Sequence, residues 1–223
     1  MNISEYADRD MLAIDVANQL AGDLKTHLLH HDRASFAVAG GTTPAPIFDD
    51  LCAADIEWDR VQVMATDERW VAPDHDRSNA RMIRDRLLVE RASAATFLPF
   101  YRAGQAPENA LAELAAEVDA DLPLSVVLLG MGDDMHTASL FPGVAGLDAA
   151  LASDAPLLAV MRPDSQPEPR ISLTARVLDA AIAKHLVIFG DRKREALERA
   201  LTLPPEEAPI QAVLSEMTVH WAP

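Results

Sequence analysis

"LSVVLLGMGDDMHTASLFPG" (124–143) runs an apolar segment into a Gly-x-Gly turn, then two aspartates and a histidine, before apolar residues resume. The first part, 124–130, is rich in Val and Leu and bounded by glycine, and reads as a strand buried on both faces. Polar groups crowded at the end of such a strand cost stability unless a partner or a task compensates them.

The same grammar recurs on either side. "SFAVAGG" (35–41) reads as a short buried strand ending in two glycines, with Thr43 and Pro44 signalling a helix start. "RVQVMAT" (60–66) is a second strand, followed by the polar loop "DERWVAPDHDRSN"; Ser78 then opens a helix carrying Met82, Ile83 and Leu87. An N-terminal amphipathic helix carries Ala13, Val16, Ala17, Leu20, Leu24 and Leu28, and another helix spans about 108–121. Further on, "PLLAVM" (156–161) reads as a fourth strand, "ISLTARVLDAA" (171–181) as a helix and "HLVIFG" (185–190) as a fifth strand. "DRKREALERAL" (191–201) reads as a helix and "MTVHW" (217–221) as a last edge strand. Short apolar strands alternating with helices predict an α/β fold: a doubly wound, mostly parallel sheet with helices on both faces, a Rossmann-like three-layer sandwich. The Pro-rich pieces 163–169 and 204–209 read as surface loops, and 1–223 as a single domain without repeats.

Composition narrows the partners. Of the 223 residues, 49% are hydrophobic and 24% charged, enough for a substantial core. No apolar run approaches the ~18 residues of a membrane span. The opening "MNISEYADRD" has neither a basic start nor an apolar segment, which predicts no export. A single cysteine, Cys52, permits no internal disulfide; it reads as a small buried apolar residue in a reducing, cytoplasmic setting. A net charge of −16 argues against nucleic acid or an anionic membrane as partner. A small anionic ligand remains compatible where cations cluster locally, so each well-placed cation is informative.

In open sheets, ligands bind beyond the carboxyl ends of the strands. Four strand ends here carry polar chemistry: "AGGTTP" (39–44), "TDER" (66–69), "GMGDDMH" (130–136) and "GDRK" (190–193). In the first, Gly40 and Gly41 allow close approach of a phosphate, and Thr42 and Thr43 bring hydroxyls to a helix N-terminus. An ordinary glycine turn with a threonine cap fits equally well, and neither a Walker ending nor the full dinucleotide fingerprint is present. Arg192, Lys193 and Arg194 fall in a first helical turn, where the macrodipole disfavours cations. A bound anion would reverse that; a solvated face paired with Glu195 and Glu198 is the plainer alternative. Lys193 is one of three lysines in the chain. "TDERW" is either a surface turn or the mount for Arg69 as a fixed cation beside developing negative charge.

Asp134 and His136 suit an acid–imidazole pair, the carboxylate fixing the tautomer while the ring removes a proton. A structural histidine is the alternative, and a metal site is poorly supported because no second His or Cys lies at ligand spacing. The other six histidines read as incidental; His30 and His31 end a helix, and His75 lies in a loop that would border the site. No G-x-S-x-G elbow appears and no motif surrounds Cys52. Water activated by His136 is then the simplest chemistry.

At these residues the chain resembles the glucosamine-6-phosphate isomerase/6-phosphogluconolactonase family. The matching stretches are "AGGTTP", "TDERWVAPDHDRSN", "LLGMGDDMHTASLFPG", "PRISLTARVL" and "IFGDRKREAL", in that order over about 38–197. The segment around "GDDMHTASLFP" is the most specific. On the lactonase side of the family, the resemblance implies hydrolysis of 6-phospho-D-glucono-1,5-lactone to 6-phosphogluconate in the oxidative pentose phosphate pathway. It implies no metal and no cofactor; the expected partner is a small phosphorylated sugar lactone, met by a monomer or weak homodimer. His136 would activate water with help from Asp134, and Arg69 would lie near the lactone carbonyl. Gly41, Thr42, Arg170 and Lys193 would hold the phosphate, with Gly40, Thr43 and Asp67 completing the binding set. For Arg170 the resemblance is the main warrant. One departure stands out: Met135 occupies a place where the family commonly has glycine, and a positive φ there would strain it.

The isomerase/deaminase relatives tend to carry a glutamate shortly after the active histidine, where this chain has Phe141, and an acid pair resembling "DEY" rather than "DER". Both differences favour the lactonase. A non-catalytic sugar-phosphate sensor is the reading from another class. Such regulators need a DNA-binding segment, for which the residues before the first helix leave no room, and the acidic balance opposes it.

Overall fold

The structure, a computed structural model, describes residues 1–164 and 166–223. Residue 165, inside the loop expected over 163–169, lies outside them. In chain order the elements are β1 (Asn2–Glu5), α1 (Arg9–Leu28), β2 (Ala34–Val38), α2 (Ala45–Leu51), β3 (Val61–Ala65), β4 (Asp67–Arg69), α3 (Asn79–Arg86), β5 (Thr96–Leu98) and α4 (Pro107–Asp119). There follow β6 (Val126–Gly130), α5 (Leu147–Leu151), β7 (Leu158–Met161), β8 (Arg170–Leu173), α6 (Ala175–Asp179), β9 (Ala183–Phe189), α7 (Asp191–Ala200) and β10 (Thr218–Ala222).

Seven strands form one sheet in the order β1-β10-β9-β6-β2-β3-β5, parallel at every pairing. Its strands alternate between two apolar cores, as a pleat covered on both faces requires. Phe36, Val38, Val126 and Leu128 pack with Leu20, Ile47 and Ile83 of α1, α2 and α3. Ala37, Val127 and Leu129 pack with Leu114, Val177 and Leu197 of α4, α6 and α7. The helix starts follow local chemistry: Asp8 accepts from the Met11 N–H at 2.8 Å, and Ser78 accepts from the Arg81 N–H at 3.2 Å.

The expected α/β architecture is present, with four local corrections. The polar loop expected from residue 67 begins instead with a strand, β4. "PLLAVM" is not a strand of the main sheet; β7 belongs to a separate antiparallel sheet ordered β4-β8-β7. Residues 171–181 are not one helix: β8 occupies Arg170–Leu173, burying Ile171 and Leu173, and only Ala175–Asp179 is helical. Finally, β10 is not an edge strand, because β1 pairs outside it. The segment "NISE" is short and mostly exposed, so it carries no buried alternation to announce it.

Candidate active site

The loop after β6 answers the puzzle of its polar residues. The Gly132 N–H donates to the His136 carbonyl at 2.9 Å, and the Met135 N–H donates to the Gly132 carbonyl at 3.0 Å, closing a tight turn. A Cβ on Gly132 would lie 2.1 Å from His136 Nδ1 and 2.3 Å from Asp134 Oδ1, so glycine lets the pair lie against the backbone. His136 Nδ1 and Asp134 Oδ1 are 2.5 Å apart. The hydrogen bond to His136 holds the Asp134 carboxyl below the usual carboxylate range. With Nδ1–H donated to Asp134, the neutral ring keeps its lone pair on Nε2. Phe141 stacks on the imidazole with ring centroids 4.1 Å apart. Met135 does have a positive φ, 65°.

The small sheet supplies the arginines. Antiparallel pairing of β4 with β8 sets Arg69 directly opposite Arg170. Like charges placed so are unfavourable without a compensating anion. Arg170 is 4% exposed; its Nη1 lies 3.6 Å from Asp67 Oδ2 and its Nη2 donates to Gln166 Oε1 at 2.9 Å. Burial pulls its pKa below the ordinary arginine value, Asp67 opposes that, and Arg69 and Arg77 add to the fall. Arg69 Nη1 donates to Asn79 Oδ1 at 2.5 Å and to the Arg77 carbonyl at 3.0 Å. Among the described residues, Nε of Arg69 and Nε of Arg170 are buried without a hydrogen-bond partner.

The two acids of β4 turn inward. Asp67 accepts from Ser139 Oγ at 2.5 Å, tying the arginine strand to the histidine loop. Glu68, 1% exposed, accepts from the N–H groups of Arg69, Asn79 and Ala80 at 2.9, 2.7 and 2.7 Å, which anchors the start of α3. Burial raises its pKa despite those bonds.

At the start of α7 the three cations separate. Lys193 Nζ donates to the Met131 carbonyl and lies 3.4 Å from Asp133, while Arg192 lies 3.5 Å from the same carboxylate. Arg194 turns away to Glu5 at 2.7 Å.

A cleft of about 200 Å³ unites these pieces, lined by Gly40, Thr43, Asp67, Arg69, His136, Arg170 and Lys193 among others. Asp134 stands behind His136 rather than on the wall. Gly41, with φ 88°, and Thr42 are exposed on their turn and also lie outside the wall. His75 does not border the cleft; its ring accepts from the Arg77 N–H at 3.1 Å. Sequence reasoning passed over Asn79, Gln166 and Ser139, whose side chains hold the charged groups in place. "SN" at 78–79 was legible only as a helix start. Among the described residues, no three His, Cys, Asp or Glu side chains gather as a metal ion would need, and no helix is long and apolar enough to cross a membrane.

A family model described as glucosamine-6-phosphate isomerases/6-phosphogluconolactonase matches residues 7–221. A 6-phosphogluconolactonase of Mesorhizobium japonicum is 42% identical, covering 100% of this chain and 95% of its own. One of Rhizobium meliloti is 38% identical, covering 100% and 99%. The crystal structure of a 6-phosphogluconolactonase from Shewanella baltica superposes with a TM-score of 0.96 at 31% identity, covering 100% of this chain and 98% of its own. By fold, by motif order and by end-to-end similarity, the chain belongs to the glucosamine-6-phosphate isomerase/6-phosphogluconolactonase family.

Proposed function

We propose that this chain hydrolyses 6-phospho-D-glucono-1,5-lactone to 6-phosphogluconate, serving the oxidative pentose phosphate pathway. One observation carries the reading: an imidazole backed by a carboxylate shares a single cleft with Arg69, Arg170 and Lys193 in a chain of net charge −16. The guanidinium groups of Arg69 and Arg170, set opposite each other across two strands, support an anionic occupant, because it would offset their like charge.

In this mechanism His136 Nε2 takes a proton from water as the oxygen attacks the lactone carbonyl carbon. Asp134 keeps Nδ1 protonated and favours the imidazolium that forms. Arg69 faces the negative charge that develops on the carbonyl oxygen. Collapse breaks the bond to the ring oxygen, and the imidazolium holds the proton that this oxygen requires. A lactone is an activated ester, so one positioned base worth about 10²–10⁴ in rate and one oxyanion donor worth about 10²–10³ are proportionate. Arg170 and Lys193 bind the phosphate and so hold the carbonyl near that water. A reducing, cytoplasmic setting is the reading that the lone buried Cys52 supports.

Phe141 against the imidazole favours hydrolysis over sugar isomerisation, which calls for a further acid there. The test follows acid release from freshly generated lactone, corrected for spontaneous opening. Strong acceleration is expected; no acceleration, or release of ammonia from glucosamine 6-phosphate instead, would overturn the proposal.

A further inference from the structure

We infer that Asn79 is a positioning residue for the reaction, setting the orientation of the Arg69 guanidinium over the cleft; the inference rests on the lactonase reading above. Asn79 is 2% exposed and is the first residue of α3. Its Oδ1 accepts from Arg69 Nη1 at 2.5 Å, and its Nδ2 donates to the Asp67 carbonyl at 2.7 Å. The partners fix which way the amide faces. A guanidinium has only donors and a carbonyl has only acceptors, so a flipped amide would lose both bonds.

The amide is also held sterically. A Cβ on Gly40 would fall 1.9 Å from Asn79 Oδ1 and 2.1 Å from its Cγ. The glycine-rich turn after β2 therefore makes room for this side chain. Three parts of the site meet at it: the Gly40 turn, the β4 strand that carries Asp67 and Arg69, and the start of α3. Its backbone is anchored separately, through the N–H that donates to Glu68 Oε1 at 2.7 Å. Removing the side chain thus leaves α3 pinned while freeing the Arg69 guanidinium from one of the two acceptors it meets among the described residues, the other being the Arg77 carbonyl.

A guanidinium that stabilises an oxyanion acts through placement, and an error of about 1 Å costs on the order of 10²-fold in rate. Asn79→Ala is expected to lower kcat by about 10- to 100-fold, with KM within about threefold of wild type. The discriminating measurement is the double-mutant cycle with Arg69→Ala. If Asn79 acts through Arg69, adding Asn79→Ala to the Arg69→Ala variant costs nothing further in kcat. Asn79→Ser ends the side chain about one bond short of Arg69 and so withdraws the acceptor while keeping a small polar residue there, and should show the same kcat loss in a better-preserved fold.

An inactive wild type overturns the lactonase reading and this inference together. An active wild type overturns the inference alone if Asn79→Ala and Asn79→Ser keep full kcat, if the loss is as large without Arg69, or if neither variant folds. The last outcome would make Asn79 a folding residue rather than a positioning one.

Discussion

Two imidazole–carboxylate contacts of similar length sit in different surroundings in this molecule. His136 meets Asp134 at 2.5 Å on the wall of the cleft, and its side chain is 29% exposed. His185 meets Asp23 at 2.7 Å, but its side chain is 5% exposed and its other nitrogen is engaged as well. His185 Nδ1 lies 3.0 Å from His220 Nε2, and His220 Nδ1 lies 2.9 Å from the Tyr6 hydroxyl, which donates to Asp15 Oδ2 at 2.6 Å. Asp15, Gln19 and Asp23 fall at helical spacing on one face of α1, so this chain of bonds ties α1 to β9 and β10. The lesson concerns the spare nitrogen. An imidazole bonded at both ends holds a structure together, whereas one backed at Nδ1 and open at Nε2 on a cleft is equipped to move a proton.

The largest effect that could break this contrast is on turnover. His136→Ala is expected to lower kcat by about 10²–10⁴ while leaving the melting temperature close to wild type. His185→Leu should do the reverse, keeping turnover per folded molecule and lowering the melting temperature, because it strands the buried His220 of β10 and removes the partner of Asp23 on α1. Assays of lactone hydrolysis beside thermal melts separate the two. A His136→Ala variant as fast as wild type would remove the first histidine from the chemistry and erase the distinction.

The next effect is on stability against pH. Burial, reinforced by the neighbouring His185, pushes the His220 pKa down from 6.5 to about 4. Charging His220, which is fully buried, would take an imidazolium out of water and set it beside a second imidazole. The unfolded chain binds the charging proton below about 6.5 and the folded chain only below about 4, so stability rises with pH between those values. Acidification from pH 7 to pH 4 should therefore cost on the order of 3 kcal/mol through this group. Glu68, whose pKa burial raises, acts with the opposite sign, so the quantity to measure is the difference between wild type and His220→Gln in urea unfolding at several pH values. The variant should be less stable at pH 7 and should lose this part of the slope. An identical slope in both proteins would mean that His220 is not the group held neutral.

Legibility in the sequence follows the same division between burial and purpose. The strands 35–41, 60–66, 124–130 and 185–190 announce themselves because a parallel strand covered on both faces is apolar throughout. β8 does not: Arg170 and Ser172 alternate with Ile171 and Leu173, and the run into "TARVLDAA" imitates a helix. Tertiary pairing with β4 and β7 decides it, and no local signal reports that pairing. Within the site, the charged residues were visible as anomalies at strand ends. The neutral residues that aim them, Asn79, Ser139 and Gln166, look like ordinary turn and cap residues until their partners arrive from distant parts of the chain. His185 and His220 read as incidental for the same reason, since a histidine in an apolar strand carries no sign of the carboxylates that a helix brings to it.

The smallest effect concerns backbone strain, which also divides the two pairs. Met135 and Ala138, on either side of His136, have φ of 65° and 48°, whereas His185 and His220 lie within regular strands. A left-handed backbone costs an L-residue about 1–2 kcal/mol, and such strain gathers where a side chain must be aimed. Met135 recovers part of that cost by packing against the core and by accepting the Ile210 N–H at 3.1 Å through its carbonyl. Met135→Ala should lose the packing and keep the strain. Met135→Gly should lose the packing but release the strain, less about 0.5–1 kcal/mol for glycine's greater freedom when unfolded. Glycine should therefore be the more stable of the two variants, by up to ~1 kcal/mol, when both are unfolded in urea. If alanine equals or exceeds glycine, the loop carries no left-handed penalty at 135, and strain would no longer separate the histidine on the cleft from the one buried between strand and helix.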